Sequence, residues 1–311
     1  MKLPSPHVCL IIFALTCLGK PGPASAETRV DSNVIYGMYS GLALLMDVYY
    51  PEKPNGYGII FISGSGWTRE LSLDAIPLTQ TGQEKIYAQP LAQAGYTVFN
   101  INHRAAPRFR YPAPLEDVQR AVRYIRYNAE KFGIAPVRIG AMGGSSGAHL
   151  VSMLGVMDGD GDQTDPNEIN RESAKVQVVV TRAAPMDLRD DPDAPLFGFR
   201  SNAAKKGSVE SQLLAEASPI TYVTPDDPPF LLIHGDADPV VPYDRSVKMH
   251  AALKQVGIDT VLLPVPGGGH GPRFESRQAV NGKNVRREPD NPPDYIGAML
   301  RWFDKYLVIH E

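Results

Sequence analysis

The sequence predicts an α/β fold: a doubly wound, mostly parallel sheet with helices on both faces and a small cap insertion. Three observations point there. Apolar or β-branched strand runs alternate with helix-period segments across residues 58–307. Glycine-rich turns follow the strand runs at 63–67, 143–147 and 267–271, the edge where such sheets bind ligands. A segment rich in Asp, Pro and Ala, 187–218, breaks the rhythm and reads as a cap over the site or as a plain surface excursion.

The elements follow in order. Runs 33–37 and 43–50 are β-rich, and Pro51 closes the second. Residues 58–62 form a short apolar run stopped by glycine, a buried strand. Residues 86–94 read as helix and 96–101 as strand. Leu115, Val118, Val122, Ile125 and Ala129 recur at helical spacing, predicting an amphipathic helix over 115–132. A strand at 137–141, a glycine-serine turn and an apolar helix at 149–157 come next. Strands are predicted at 176–180, 230–233 and 260–265, and helices at 245–255 and 295–307.

With 311 residues, 43% hydrophobic and 21% charged, the chain is long enough to bury a full core without staples. A net charge of −3 offers no electrostatic grip on nucleic acid or anionic lipid. There is no internal repeat. The first 26 residues read as a secretory signal: Lys2, an apolar run at 8–18 too short to span a bilayer, then Ala24-Ser25-Ala26 as the cleavage site before Glu27. The competing reading is an N-terminal membrane anchor. The expected mature protein is one domain, 27–311, secreted or periplasmic, with no stable membrane insertion. It shows no extended apolar surface segment of the kind a lipid-interface enzyme uses. Cys9 and Cys17 both lie in the signal, so the mature chain has no disulfide, thiol nucleophile or thiolate metal site. Ala14, Leu15 and Thr16 make a poor lipidation signal before Cys17.

Gly143-Gly144-Ser145-Ser146-Gly147 fits G-x-S-x-G between a predicted strand and a predicted helix. A serine hydroxyl needs something to aim it and something to take its proton. The strand–turn–helix bend supplies the first, so Ser145 is the candidate nucleophile. The alternative is a glycine turn holding phosphate at a helix N-terminus. Ser146 is out of register, because Ala148 occupies its second glycine position. The acid and base should follow in that order. Asp238 sits in His234-Gly235-Asp236-Ala237-Asp238 after strand 230–233, and His270 sits in Gly267-Gly268-Gly269-His270-Gly271 after strand 260–265. His270 is expected to be the general base and Asp238 its orienting acid. Asp236 is the rival acid. His149 reads as a packed helix residue, His103 and His234 as hydrogen-bonded supports, His250 as a helix-surface residue and His310 as terminal.

Ser63-Gly64-Ser65-Gly66-Trp67 occupies the place of an oxyanion loop, with the amides of Gly64, Ser65 and Ser146 as expected donors. Trp67 walls the acyl pocket or belongs to the core. Asp158-Gly159-Asp160-Gly161-Asp162 is similar to a calcium loop, but Gln163 and Ile169 stand where glycine and glutamate belong, so a solvated acidic loop is expected. No metal and no cofactor are expected.

These segments together resemble the bacterial esterase/lipase branch of the α/β-hydrolases that includes acetylxylan- and feruloyl-esterase-like enzymes. The resemblance runs through LMDVYYP at 45–51, SGSGW at 63–67, NHRAAP at 102–107, PAPLED at 112–117, GGSSGAHL at 143–150, SPITYVTPDDPPFLLIHGDADPVVP at 218–242 and GGGH at 267–270. It implies Ser145, Asp238 and His270 as a triad in a cofactor-free serine carboxylesterase. The implied substrates are small-molecule or polysaccharide esters with short, acetyl-sized acyl groups. The family's HGGGW loop is SGSGW here, which leaves the loop's anchoring open, and Ala148 stands where the family often has glycine. Two other function classes remain: a prolyl-oligopeptidase-like serine peptidase, and a non-catalytic binding protein on the same fold. The first usually carries a large N-terminal domain, whereas only residues 27–42 precede the second strand run of the mature chain.

Overall fold

The computed structural model describes residues 28–190, 196–198, 206–280 and 283–309. The predicted signal and parts of the 187–218 insertion lie outside the described residues. The elements are β1 (Arg29–Tyr39), β2 (Leu42–Tyr50), β3 (Gly58–Ile62), α1 (Gln83–Ile86), α2 (Ala88–Gln93), β4 (Thr97–Ile101), α3 (Ala113–Tyr127), α4 (Ala129–Phe132), β5 (Ile139–Gly144) and α5 (Ser146–Val156). Then come β6 (Val178–Arg182), α6 (Val209–Glu216), β7 (Phe230–Gly235), α7 (Asp244–Gln255), β8 (Thr260–Val265), β9 (Ser276–Val280), β10 (Lys283–Arg287) and α8 (Tyr295–Leu307).

Eight strands form one sheet in the order β1-β2-β4-β3-β5-β6-β7-β8. β2 pairs antiparallel with β1 and β4, and every other neighbour is parallel. Every residue of β3 to β7 is buried, which is why these strands read as continuous apolar runs rather than alternating ones. Successive residues still serve opposite faces. Ile60 and Ile62 pack with Val118, Val122, Leu150 and Leu154 of α3 and α5, while Ile59 and Phe61 pack with Leu91 of α2 and Met299 and Phe303 of α8.

Three predicted elements are corrected. The helix predicted over 115–132 is two: α3 stops at Asn128, whose side chain donates to the Tyr124 carbonyl (2.8 Å), and α4 ends on Gly133 at φ 66°. The 86–94 helix is broken at Tyr87, φ −120°. The apolar helix begins at Ser146 rather than 149, directly after the candidate nucleophile. The β9–β10 hairpin was not expected, its Arg- and Gln-bearing sequence lacking apolar alternation. The absence of extended apolar surface is also corrected: Leu71, Leu73 and Ile76 are exposed on the loop after β3.

The NHRAAP and PAPLED segments meet. Buried Asp117 accepts from the Arg104 backbone N–H (2.7 Å) and Nε (2.8 Å), and the guanidinium lies 3.9 Å over the Tyr39 ring. This pair ties the loop after β4 to α3 and to the β1–β2 edge. No helix among the described residues is long and apolar enough to cross a membrane.

Candidate active site

β5 runs into the glycine pair, and the chain reverses at Ser145 with φ 52° and ψ −122°. A non-glycine residue there is strained, and strain of this kind persists only where neighbours enforce it. The Ser145 N–H donates to the Arg182 carbonyl (2.8 Å) at the end of β6. A Cβ on Gly147 would lie 2.1 Å from the Ile62 carbonyl oxygen, and one on Gly143 2.4 Å from that of Gly147. Both positions of the motif therefore require glycine for close backbone packing.

Ser145 Oγ lies 2.9 Å from His270 Nε2, and His270 Nδ1 lies 2.7 Å from Asp238 Oδ2. The other Asp238 oxygen accepts from the Val240 (2.8 Å) and Val241 (3.0 Å) amides, and His234 Nε2 stands 3.4 Å from Oδ2. Burial alone would push this carboxyl up. The His234 and His270 side chains and the Val241 amide outweigh burial and hold it well below the usual carboxylate range. An ionised Asp238 fixes the imidazole proton on Nδ1 and leaves the Nε2 lone pair facing Ser145. Asp236, the rival acid, is exposed and accepts from Gly267 N–H (2.7 Å), tying down the histidine loop from outside.

Buried Arg182 also holds that loop, its Nη1 donating to the carbonyls of His270 (2.8 Å) and Gly271 (3.0 Å). Sequence reasoning missed it, although an arginine closing the run VVVT at a strand's carboxyl end was a signal.

The loop after β3 packs against the candidate nucleophile, since a Cβ on Gly64 would lie 2.9 Å from Ser145 Cβ. Its anchor is Gln83, whose Oε1 accepts from Gly64 N–H and whose Nε2 donates to Gly64 C=O, both at 3.0 Å. Nothing in the sequence around Gln83 flagged it. Ser65 N–H donates to Ser146 Oγ (2.9 Å). Of the three expected oxyanion donors, the amides of Gly64 and Ser65 thus already have partners, whereas that of Ser146 has none among the described residues; the amide of Gly66, which was not among the three, has none either. Trp67 is buried, 4% exposed; its Nε1 donates to His149 Nδ1 (3.2 Å) and its ring stands edge-on to that imidazole.

His149 and His103 are both buried, and burial lowers each from 6.5 to about 4. The bonds of His149 agree: Nε2–H donates to Ala217 C=O (2.7 Å), so Nδ1 must stay unprotonated to accept from Trp67. Between pH 6.5 and 4 the unfolded chain binds protons that these two residues refuse when folded, so stability falls as pH falls through this window. At 1.36 kcal/mol per unit, each contributes a loss on the order of 3 kcal/mol. Urea midpoints at pH 7, 5.5 and 4.5 should decline steadily, and His149→Gln should flatten the decline.

The acidic loop faces Lys175, with Asp158 at 3.6 Å and Asp160 at 4.0 Å, while Asp162 caps Thr164. No group of three or more His, Cys, Asp or Glu is arranged to hold a metal among the described residues.

The BD-FAE family model matches residues 46–253, which run from within β2 to within α7 and include the whole serine turn. The chain belongs to the BD-FAE family. Its fold is that of the α/β-hydrolases. LipC, an esterase of Mycobacterium tuberculosis, is 30% identical over 76% of this chain and 59% of its own length. The acetylxylan esterase of Xylanibacter ruminicola is 25% identical over 73% of this chain and 43% of its own. The chain thus spans about half the length of these curated relatives. Among solved structures, a truncated carbohydrate esterase from gut microbiota is 30% identical, with a TM-score of 0.69 over 92% of this BD-FAE chain and 99% of that one.

Proposed function

We propose that this BD-FAE chain is a serine carboxylesterase that removes short acyl groups, acetyl above all, from carbohydrate through an acyl-enzyme. The observation that carries the reading is the unbroken relay from Asp238 through His270 to a strained Ser145, at 2.7 and 2.9 Å. Ser145 Oγ attacks the ester carbonyl as His270 Nε2 takes its proton. The tetrahedral oxyanion is met by the amides of Ser146 and Gly66, with Ser65 joining when the Ser146 hydroxyl turns away. Gly64 is replaced in this role because Gln83 holds its N–H. His270 returns the proton to the departing alkoxide, then deprotonates a water that releases the acid from Ser145. Asp238 stabilises the imidazolium in both halves.

The acyl and alcohol preferences draw on the carbohydrate-esterase and acetylxylan-esterase relatives. Buried Trp67 and exposed Leu71, Leu73 and Ile76 lend them no support. Residues 1–26 are proposed to be an export leader, which puts the enzyme where such polymers are. The deciding experiment is kcat/KM over acetyl, butyryl and octanoyl p-nitrophenyl esters and acetylated xylo-oligosaccharides, with a proline-containing peptide amide alongside. Acetyl esters should lead. A maximum at octanoyl would make the enzyme a lipase, faster peptide cleavage a peptidase, and no turnover at all a binding protein.

Gln83 positions the loop without touching substrate. Gln83→Ala should lower kcat about tenfold with KM little changed, the effect of losing a neutral hydrogen-bonded anchor. Equal changes in kcat and stability at saturating ester would reduce Gln83 to a fold residue.

A further inference from the structure

A cavity of about 370 Å³ opens at the same sheet edge as Ser145, between the loop after β3 and the loop after β4. Its size is that of a small-molecule site. Leu71, Ile76 and Phe109 give it apolar walls, and Arg69, His103 and Arg108 give it polar ones; no acidic residue lines it. Arg69 is only four residues beyond Ser65, so its Cα lies within about 14 Å of the oxyanion loop by chain length alone. The loop is further fixed there by Arg69 N–H donating to Ala106 C=O (2.8 Å).

The charge balance of this cavity is unusual. Arg69 is partly buried, and its Nη2 is sealed from solvent without a hydrogen-bond partner. Burial lowers its pKa with no neighbouring acid opposing the shift. Arg104 next door is spent on Asp117 and Glu116, whereas Arg108 is exposed and carries no acid partner among the described residues. An uncompensated guanidinium in a partly dry cavity is costly unless something anionic visits it. His103 adds an acceptor. Its Nδ1–H donates to Arg104 C=O (2.8 Å), which leaves Nε2 as a buried lone pair without a partner.

We propose that this cavity is a carboxylate subsite, in which Arg69 pairs with an acid group carried on the substrate beside the scissile ester and His103 accepts from a neighbouring hydroxyl. Apolar walls around a fixed cation suit a carboxylate on a sugar ring or on an aryl chain. Its place beside catalysis rests on the esterase reading, but the binding itself does not.

The test uses full-length Ser145→Ala protein and calorimetric titration with two matched pairs: D-glucuronate against D-glucose, and para-acetoxybenzoate against para-acetoxybenzyl alcohol. At least one acid should bind about tenfold more tightly than its neutral partner, the strength of a charge-assisted pair. The preferred pair identifies the source of the carboxylate. Adding Arg69→Gln should remove the preference, Arg69→Lys should keep part of it, and Arg108→Gln, an exposed change, should weaken it even if the Arg69 variants do not fold. Equal binding of acid and neutral partner in both pairs, or a preference untouched by folded Arg69→Gln, overturns the proposal. Wild-type turnover of p-nitrophenyl acetate is read separately: uronate or acetoxybenzoate binding without ester turnover would leave the subsite standing and remove the esterase.

Discussion

Ser145→Ala should lower kcat on p-nitrophenyl acetate by on the order of 10⁶-fold, the loss met when a triad nucleophile is removed. No neighbour can replace it. Ser146 is the next hydroxyl in sequence, but it is buried and its Oγ is held against Ser65 N–H. The alanine keeps the backbone at φ 52°, so the turn and the sheet behind it should fold as before. A circular dichroism spectrum and a urea midpoint near wild type would show that the loss is chemical. Residual activity within a hundredfold of wild type would mean that another group attacks.

His270→Ala should cost about as much, and the double variant Ser145→Ala/His270→Ala should be no worse than either single one. Groups that work as one relay lose their function together, so their effects do not add. His149 cannot take over, because its two nitrogens are committed to Trp67 and Ala217. His103 is buried and faces Arg104 C=O. Asp238→Asn should cost less, about 10⁴-fold, by favouring the wrong tautomer of His270. Asp236 is held on Gly267 N–H and leaves that loss uncompensated. Additive losses in the double variant would separate Ser145 from His270 mechanistically.

The parallel sheet was legible because buried strands leave unbroken apolar runs, and 58–62 matches β3 residue for residue. The three residues now joined by hydrogen bonds were legible for another reason. Each sits on a loop just past a strand, and a parallel sheet gathers such loops at one edge. What holds those loops was mostly hidden. Gln83 reaches Gly64 across 19 positions and Arg182 reaches His270 across 88, and neither pairing leaves a local pattern. The partner of the Gly64 amide was hidden for the same reason, since Gly64 looks free until Gln83 is brought beside it. Asn128 ended a helix that apolar periodicity carried onward to Phe132, because periodicity reports which face is buried and not where the backbone turns.

The central claim is that Ser145 forms the acyl-enzyme, and mapping a fluorophosphonate adduct tests it most directly. Wild-type protein is labelled, digested and sequenced by mass spectrometry. The account predicts one stoichiometric adduct on Ser145, prevented by prior saturation with a slowly hydrolysed acetyl ester and absent from His270→Ala on the same timescale. An adduct on Ser146 or any other serine, or labelling that proceeds unchanged without His270, would contradict it.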